Sequence, residues 1–98
     1  MKTIENRKTS IRVSEAEDKG ASYFDLIMVC LNRTPQGGFT LEEMRRRLRV
    51  TDKLDPKKKS ADLEDADFAK LKECVRGMIW GAMSKELVEF GDYIDSIK

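Results

Sequence analysis

Apolar residues recur at helical spacing along most of the chain and predict four helices. The first, over residues 21–32 (ASYFDLIMVCLN), is apolar on nearly every side, so we expect it in the middle of a helical bundle. Its central LIMVCL is also compatible with a buried strand, but the alanine, leucine and methionine content favours a helix. Residues 34–38, with one proline and two glycines, end this helix.

The second helix has the clearest start signal in the sequence. Thr40 and Glu43 have the spacing of a capping box, and Phe39 and Met44 have that of a hydrophobic staple. One face of the helix is apolar at helical spacing through Leu41, Met44 and Leu48. We expect this stripe, like those of the other helices, to be buried inside a single helical packing.

The third helix is expected over residues 65–80, capped by Asp62 or Asp65. Its apolar stripe consists of Phe68, Leu71, Val75, Met78 and Ile79. The residues expected to face outward are Asp67, Lys70, Glu73 and Arg76.

The fourth helix is expected to start at the cap Ser84, with Met83 and Val88 as a staple. Its buried stripe consists of Leu87, Phe90, Tyr93, Ile94 and Ile97. The outer face is acidic and carries Glu89, Asp92 and Asp95. Such a face is a plausible docking surface for a basic partner.

The amino-terminal segment, residues 1–13, alternates apolar and polar positions at Thr9, Ile11 and Val13. This pattern predicts a short strand, with Ile4 on the other arm of a small hairpin, although a frayed tail would have a similar sequence. Residues 58–64 (KKSADLE) are expected to add an edge strand beside it, and residues 14–22 to form a connection. The prediction is one domain over residues 1–98, mainly α with a small N-terminal β element (α+β), and a helical core over residues 21–98.

Catalytic chemistry is poorly represented in the sequence. There is no histidine, so the commonest general base and the commonest metal ligand are both missing. Cys30 and Cys74 lie among apolar residues without a basic neighbour in the sequence, so we expect buried, reduced thiols. We therefore expect a protein that is not an enzyme, with no cofactor and no metal site. The apolar runs are short and no export signal is visible, which predicts a cytoplasmic protein without a membrane partner.

The charge is uneven although the net charge is only +1. Residues 40–60 carry a net +4 and residues 61–98 a net −4. Glu42 with Arg46 and Glu43 with Arg47 are i,i+4 pairs, which favours a self-paired face over a nucleic-acid patch. Pro56 leaves no room for the recognition helix of a simple helix-turn-helix. The alternative is a winged-helix-like DNA-binding regulator that uses the third helix.

Trp80 has two interpretations: it covers the junction of the last two helices, or it anchors a partner. The residues we expect to bind a partner are Trp80, Arg45, Arg46, Arg49, Glu89 and Asp92. We expect Arg45 and Arg49 to flank the apolar stripe of their helix and to cover the edge of the core with their stems. The expected function is protein–protein interaction, including self-association through the acidic and basic faces.

Two segments, GGFTLEEMRRRLRV and LEDADFAKLKECVRGMIWG, resemble small uncharacterised proteins encoded by tailed bacteriophages and prophages. The similarity covers about residues 21–95 and concerns the order and length of the helices. It implies an accessory role in virion assembly or host control, exerted by contact. It carries no catalytic motif, so it assigns a role to no residue.

Overall fold

Four helices and a two-stranded antiparallel sheet make up the computed structural model, which describes residues 1–12, 20–81 and 83–97. Along the chain these elements are β1 (Lys2–Glu5), α1 (Tyr23–Asn32), α2 (Leu41–Thr51), β2 (Ser60–Leu63), α3 (Asp65–Arg76) and α4 (Lys85–Ser96). The predicted mainly α fold with a small N-terminal β element is therefore confirmed. Val13 and most of the predicted connection, residues 14–19, lie outside the described residues.

The edge strand predicted within residues 58–64 is confirmed as β2. It pairs with β1 so that Ile4 lies opposite Ala61, and both side chains are buried. The predicted hairpin between Ile4 and the Thr9–Ile11 alternation is wrong. The backbone around Thr9 and Ile11 instead bonds to the start of the α1 segment, where the N–H of Ala21 donates to the carbonyl of Ile11 at 2.6 Å.

The helix predicted over residues 21–32 is confirmed, and it forms the centre of the core. Ser22 and Asp25 make a complete capping box at its start, because each side chain accepts from the other residue's backbone N–H. Burial is confined to one side of the helix, since Asp25, Met28 and Val29 on the other side are only half-buried and Asn32 is exposed. The buried side chains are those of Tyr23, Phe24, Leu26, Ile27, Cys30 and Leu31. It packs against both α2 and α3.

The third helix starts at Asp65 as predicted, but its capping residue and its end differ from the prediction. Glu64 occupies the cap position without a side-chain hydrogen bond, so neither Asp62 nor Asp65 caps the helix. The helix ends at Arg76 with Gly77 as its cap, and the predicted continuation to residue 80 is wrong. Since the chain leaves helical geometry there, Ile79 is exposed instead of extending the buried stripe.

The predicted outward face of α3 is also partly wrong. Asp67 is buried and only 10% of the Lys70 side chain is exposed, because α2 packs over this side of α3. Glu73 and Arg76 are exposed as predicted.

Helix α4 confirms the predicted cap, and its predicted stripe packs against the core, although Leu87, Tyr93 and Ile97 are only partly buried. The Ser84 hydroxyl accepts from the N–H of Leu87 at 3.4 Å, and both Phe90 and Ile94 are buried. The Phe90 ring meets Tyr23 of α1 edge to face, with centroids 5.0 Å apart. The predicted staple is wrong, because both of its side chains, Met83 and Val88, are exposed.

Candidate contact surface

Helix α2 turns its apolar stripe toward solvent. The exposed fractions are 68% for Leu41, 40% for Met44 and 58% for Leu48. The three side chains share one face, as predicted, but the expectation that this face is buried is wrong. Only Val50, on the opposite side, is buried among the residues of α2.

A charged cluster occupies the side of α2 that faces the domain. The Glu43 carboxylate accepts from Arg47 at 2.9 Å and from Lys70 of α3 at 3.1 Å. These two cations lower the pKa of Glu43, with the hydrogen bond from Arg47 as the larger cause. Lys70 also binds Glu73 at 2.9 Å, and its pKa is raised mainly by that hydrogen bond. Only half of the predicted capping box forms, because Thr40 accepts from the N–H of Glu43 while the carboxylate is used in this cluster.

Arg47 extends the cluster to α1. Its guanidinium donates to the carbonyl oxygens of Leu31 and Arg33, at 3.0 and 2.9 Å. Carbonyls at the end of a helix lack partners within the helix, so this arginine satisfies groups that would otherwise require water or another donor. The same guanidinium lies 5.1 Å from the centre of the Phe39 ring. The inner face of α2 is therefore held by directed polar contacts to two other helices.

Beside the stripe lies a shallow apolar pocket of about 220 Å³. It is lined by Leu31, Asn32, Phe39, Met44, Arg47 and Leu48. The exposed stripe thus continues into a depression large enough for one apolar side chain of a partner.

The predicted arginines lie together on the other flank of the stripe. Arg45, Arg46 and Arg49 line a groove of about 620 Å³ between α2 and α3. Arg46 binds Glu42 at 2.7 Å, as its i,i+4 spacing predicts, and Arg49 lies 3.9 Å from Asp67. Glu42, Asp67 and Glu73 line the same groove, so it is of mixed charge. Arg45 and Arg49 are exposed beside an exposed stripe, and the prediction that they cover core edges is wrong.

Trp80 lies in a second exposed apolar patch, where α3 leads into α4. The indole is half-buried and packs against the core, as the covering role predicts. A depression of about 280 Å³ beside it is lined by Trp80, Met83, Ser84, Leu87 and Val88. We call the side chains of Trp80, Met83 and Val88 the junction patch.

Glu89 and Asp92 are exposed on α4, the helix that carries Val88 of the junction patch, and not beside the arginines of α2. Asp92 lies one helical turn from Val88, so its carboxylate borders the patch. Across the described ranges, neither acid forms an ion pair within 4 Å. The predicted partner-binding residues therefore separate into two surfaces, and α3 packs between the helices that carry them.

The two cysteines line a third depression, of about 330 Å³, between α1 and α3. Arg33, which is three residues from Cys30, and Arg47 of α2 line it too, so the prediction that the cysteines lack a basic neighbour is wrong. Burial is nevertheless the dominant influence and raises the pKa of Cys30 to about 12, and it raises the pKa of Cys74 as well. The predicted buried thiols are confirmed. Nowhere in the described ranges do three or more acidic or cysteine side chains come together as a metal site would require.

Sequence reasoning missed the exposed leucines of α2 as candidate contact residues, and it missed the exposed Val88 and Met83. The sequence of α2 carried no signal for its buried side, because the stripe of three apolar residues outweighs the single apolar residue Val50 on the opposite side. None of the described helices is long and apolar enough to cross a bilayer. No protein-family model, curated protein or solved structure matches this chain.

Proposed function

We propose that the chain is a non-enzymatic protein–protein interaction module and that the outward stripe of α2 is its main contact surface. The observation that carries this proposal is the orientation of α2. The helix presents Leu41, Met44 and Leu48 to solvent and places Glu43 and Arg47 against the domain. Exposed apolar side chains grouped on one face and bordered by charge are typical of protein contact sites.

The chemistry of the surface defines the kind of partner. The stripe has the spacing of an apolar helix face, and the pocket beside Met44 accepts an apolar side chain. Arg45 and Arg49 border the stripe, so a partner with acidic residues around an apolar centre would be complementary to this surface. The junction patch with Trp80 offers a second, separate surface of the same kind.

A non-enzymatic role is supported by the types of side chain in the chain and by the environment of its two thiols. The chain has no histidine, and the thiols of Cys30 and Cys74 have raised pKa values, which disfavours the reactive thiolate. We extend the proposal to a cytoplasmic accessory protein of phage assembly or host control. That extension rests on the resemblance of residues 21–95 to phage and prophage proteins.

The test is affinity capture from the source cell with folded variants. The double variant Leu41→Ser/Leu48→Ser should retain less than about one tenth of the wild-type partner, because the apolar centre of the contact is lost. Its free energy of unfolding should change by less than ~0.5 kcal/mol, since both side chains are exposed. Trp80→Ala and Arg46→Ala should weaken capture less.

The matched control is Val50→Ala on the buried side of α2. It should lower the free energy of unfolding by about 1–3 kcal/mol and leave capture by the folded fraction unchanged. Undiminished capture by the double variant, at wild-type stability, would remove α2 as the contact surface.

The alternative function is a winged-helix-like DNA-binding regulator. It is favoured by the alignment of Arg45, Arg46 and Arg49 along one groove. It is disfavoured by the acids in that groove, which would repel phosphates. In a gel shift at moderate salt we expect only weak retention that added salt abolishes, whereas nanomolar binding would favour the DNA-binding function.

A further inference from the structure

The chain carries two exposed apolar surfaces with opposite charge at their borders. Among the α2 residues that border the stripe on this flank, Arg45, Arg46 and Arg49 outnumber the one acid Glu42, while the acids Asp67 and Glu73 lie across the groove on α3. The junction patch continues onto α4, where Glu89 and Asp92 are exposed and outnumber the exposed Lys85. Each surface has an apolar centre, so each has the chemistry that the other would recognise.

We propose that the partner of the α2 stripe is the junction patch of a second copy of this chain. The inference rests on the proposed function of the α2 stripe and names its partner. In this contact Leu41, Met44 and Leu48 of one copy pack against Trp80, Met83 and Val88 of the next. Arg45 and Arg49 of the first copy then face Glu89 and Asp92 of the second.

A contact between two α2 stripes fits less well. It would bring the arginine excess of both copies into one interface, where like charges repel as water is excluded. A contact between two junction patches would do the same with carboxylates. The head-to-tail arrangement pairs apolar with apolar area and positive with negative borders.

The chain cannot form this contact within itself. The α2 stripe is exposed on the side away from the domain, and α3 packs between α2 and α4. The contact joins two different surfaces, so a pair of copies keeps one unused α2 stripe on one copy and one unused junction patch on the other. Such an interface continues into a ring or an open filament unless it is capped.

The first measurement is sedimentation equilibrium of the full chain over a concentration series. Both surfaces are small, so we expect weak association, with the average mass rising between ~10 μM and ~1 mM. Added salt should weaken the association severalfold, because the borders are charged. A chain that stays monomeric throughout overturns the self-association but leaves the capture test of the α2 stripe unaffected.

Mixing two variants, each altered on only one of the two surfaces, then identifies the interface. The α2 variant Leu41→Ser/Leu48→Ser and the junction variant Met83→Ser/Val88→Ser should each lose at least tenfold in self-association. Mixed in equal amounts, they should form a capped dimer, because each supplies the surface that the other lacks. Self-association of the junction variant at wild-type strength would indicate an α2–α2 contact and overturn the head-to-tail arrangement.

Charge exchange gives an independent measurement with four exposed positions. Arg45→Glu/Arg49→Glu and Glu89→Arg/Asp92→Arg should each reduce association at least tenfold. Combined in one chain, the four substitutions should restore it to within about threefold of wild type, since the borders are again opposite. Failure of the combined variant to associate, with a wild-type thermal transition, would overturn the charge pairing.

Discussion

At the scale of single residues, two neighbouring arginines of α2 have different environments. Arg46 forms one exposed i,i+4 pair with Glu42, and 55% of its side chain is accessible. The side chain of Arg47 is only 14% accessible and binds Glu43 and two carbonyls at the end of α1. Arg47 thus joins α2 to α1, while Arg46 remains available for a partner.

This difference predicts unequal effects of the same substitution. Arg47→Ala should lower the free energy of unfolding by about 3 kcal/mol, because it leaves Glu43 and two carbonyls of the α1 end short of donors. Arg46→Ala is the matched control and should cost less than ~0.5 kcal/mol. Chemical denaturation measures the free energy of unfolding of both variants. Equal losses would mean that the contacts of Arg47 do not stabilise the packing of α2 against the domain.

The raised pKa of the Cys30 thiol predicts a loss of folding stability at alkaline pH. Its pKa is raised to about 12 by burial and by the neighbouring Cys74, so the folded state holds a proton that the unfolded state releases near pH 9. The thiol therefore contributes its full stabilisation below about pH 9 and loses it as the pH rises toward 12.

The measurement is denaturation under reducing conditions between pH 8 and 11. Over the upper part of this range, the wild-type free energy of unfolding should fall more steeply than that of Cys30→Ala, by up to ~1.4 kcal/mol per pH unit. Parallel curves, or rapid thiol labelling of the folded protein, would contradict a buried protonated thiol.

At the scale of elements, the orientation of α2 depends on two competing faces. Burying Leu41, Met44 and Leu48 would remove apolar area from water, but it would expose the polar contacts of Glu43 and Arg47. The observed orientation uses those contacts to join α1, α2 and α3. The apolar face is left for intermolecular packing.

The backbone pairing between the N-terminal segment and α1 predicts a strict need for glycine at residue 20. A Cβ built on Gly20 would lie 1.8 Å from the carbonyl oxygen of Thr9, so Gly20→Ala must displace one of the two paired segments. It should lower the free energy of unfolding by at least ~2 kcal/mol.

Gly91 is the matched control, because an added Cβ meets no atom within 4 Å there. It lies inside α4, so Gly91→Ala should stabilise the protein by about 0.5–1 kcal/mol. Similar thermal shifts for the two variants would contradict the close approach at Gly20.

At the scale of the whole molecule, side chains of the last helix contact the N-terminal strand and the residues that follow it. The Tyr93 hydroxyl of α4 accepts from the N–H of Glu5 at 2.8 Å. Arg7 lies over the Tyr93 ring at 4.2 Å, and Ser10 bonds to Glu86 of α4. Contacts between residues so distant in sequence predict that the domain unfolds as one unit.

Tyr93→Phe tests the contribution of this contact between the N-terminal segment and α4. It removes the hydroxyl but keeps the ring beside Tyr23, so the free energy of unfolding should fall by about 1 kcal/mol with an unchanged dependence on denaturant. Ser96→Ala, which removes a local bond to the Tyr93 carbonyl, should cost less than ~0.5 kcal/mol. A second transition in the Tyr93→Phe variant would mean that the terminal elements unfold separately.

The sequence by itself determined the local structure. Helical spacing predicted all four helices, and the caps Thr40 and Ser84 were correctly placed, because capping depends on residues within one turn. The buried side of α4, with Phe90 and Ile94, was also predictable, since its apolar stripe is opposed by an acidic face.

Only the tertiary structure decided which side of α2 faces inward. Periodicity establishes which side chains share a face, but the burial of a face depends on partners from other elements. For α2 those partners are Lys70 and the carbonyls at the end of α1, all distant in sequence from Glu43 and Arg47. The same long-range packing buried Asp67, brought Arg47 to the cysteine depression, and left the leucines of α2 exposed.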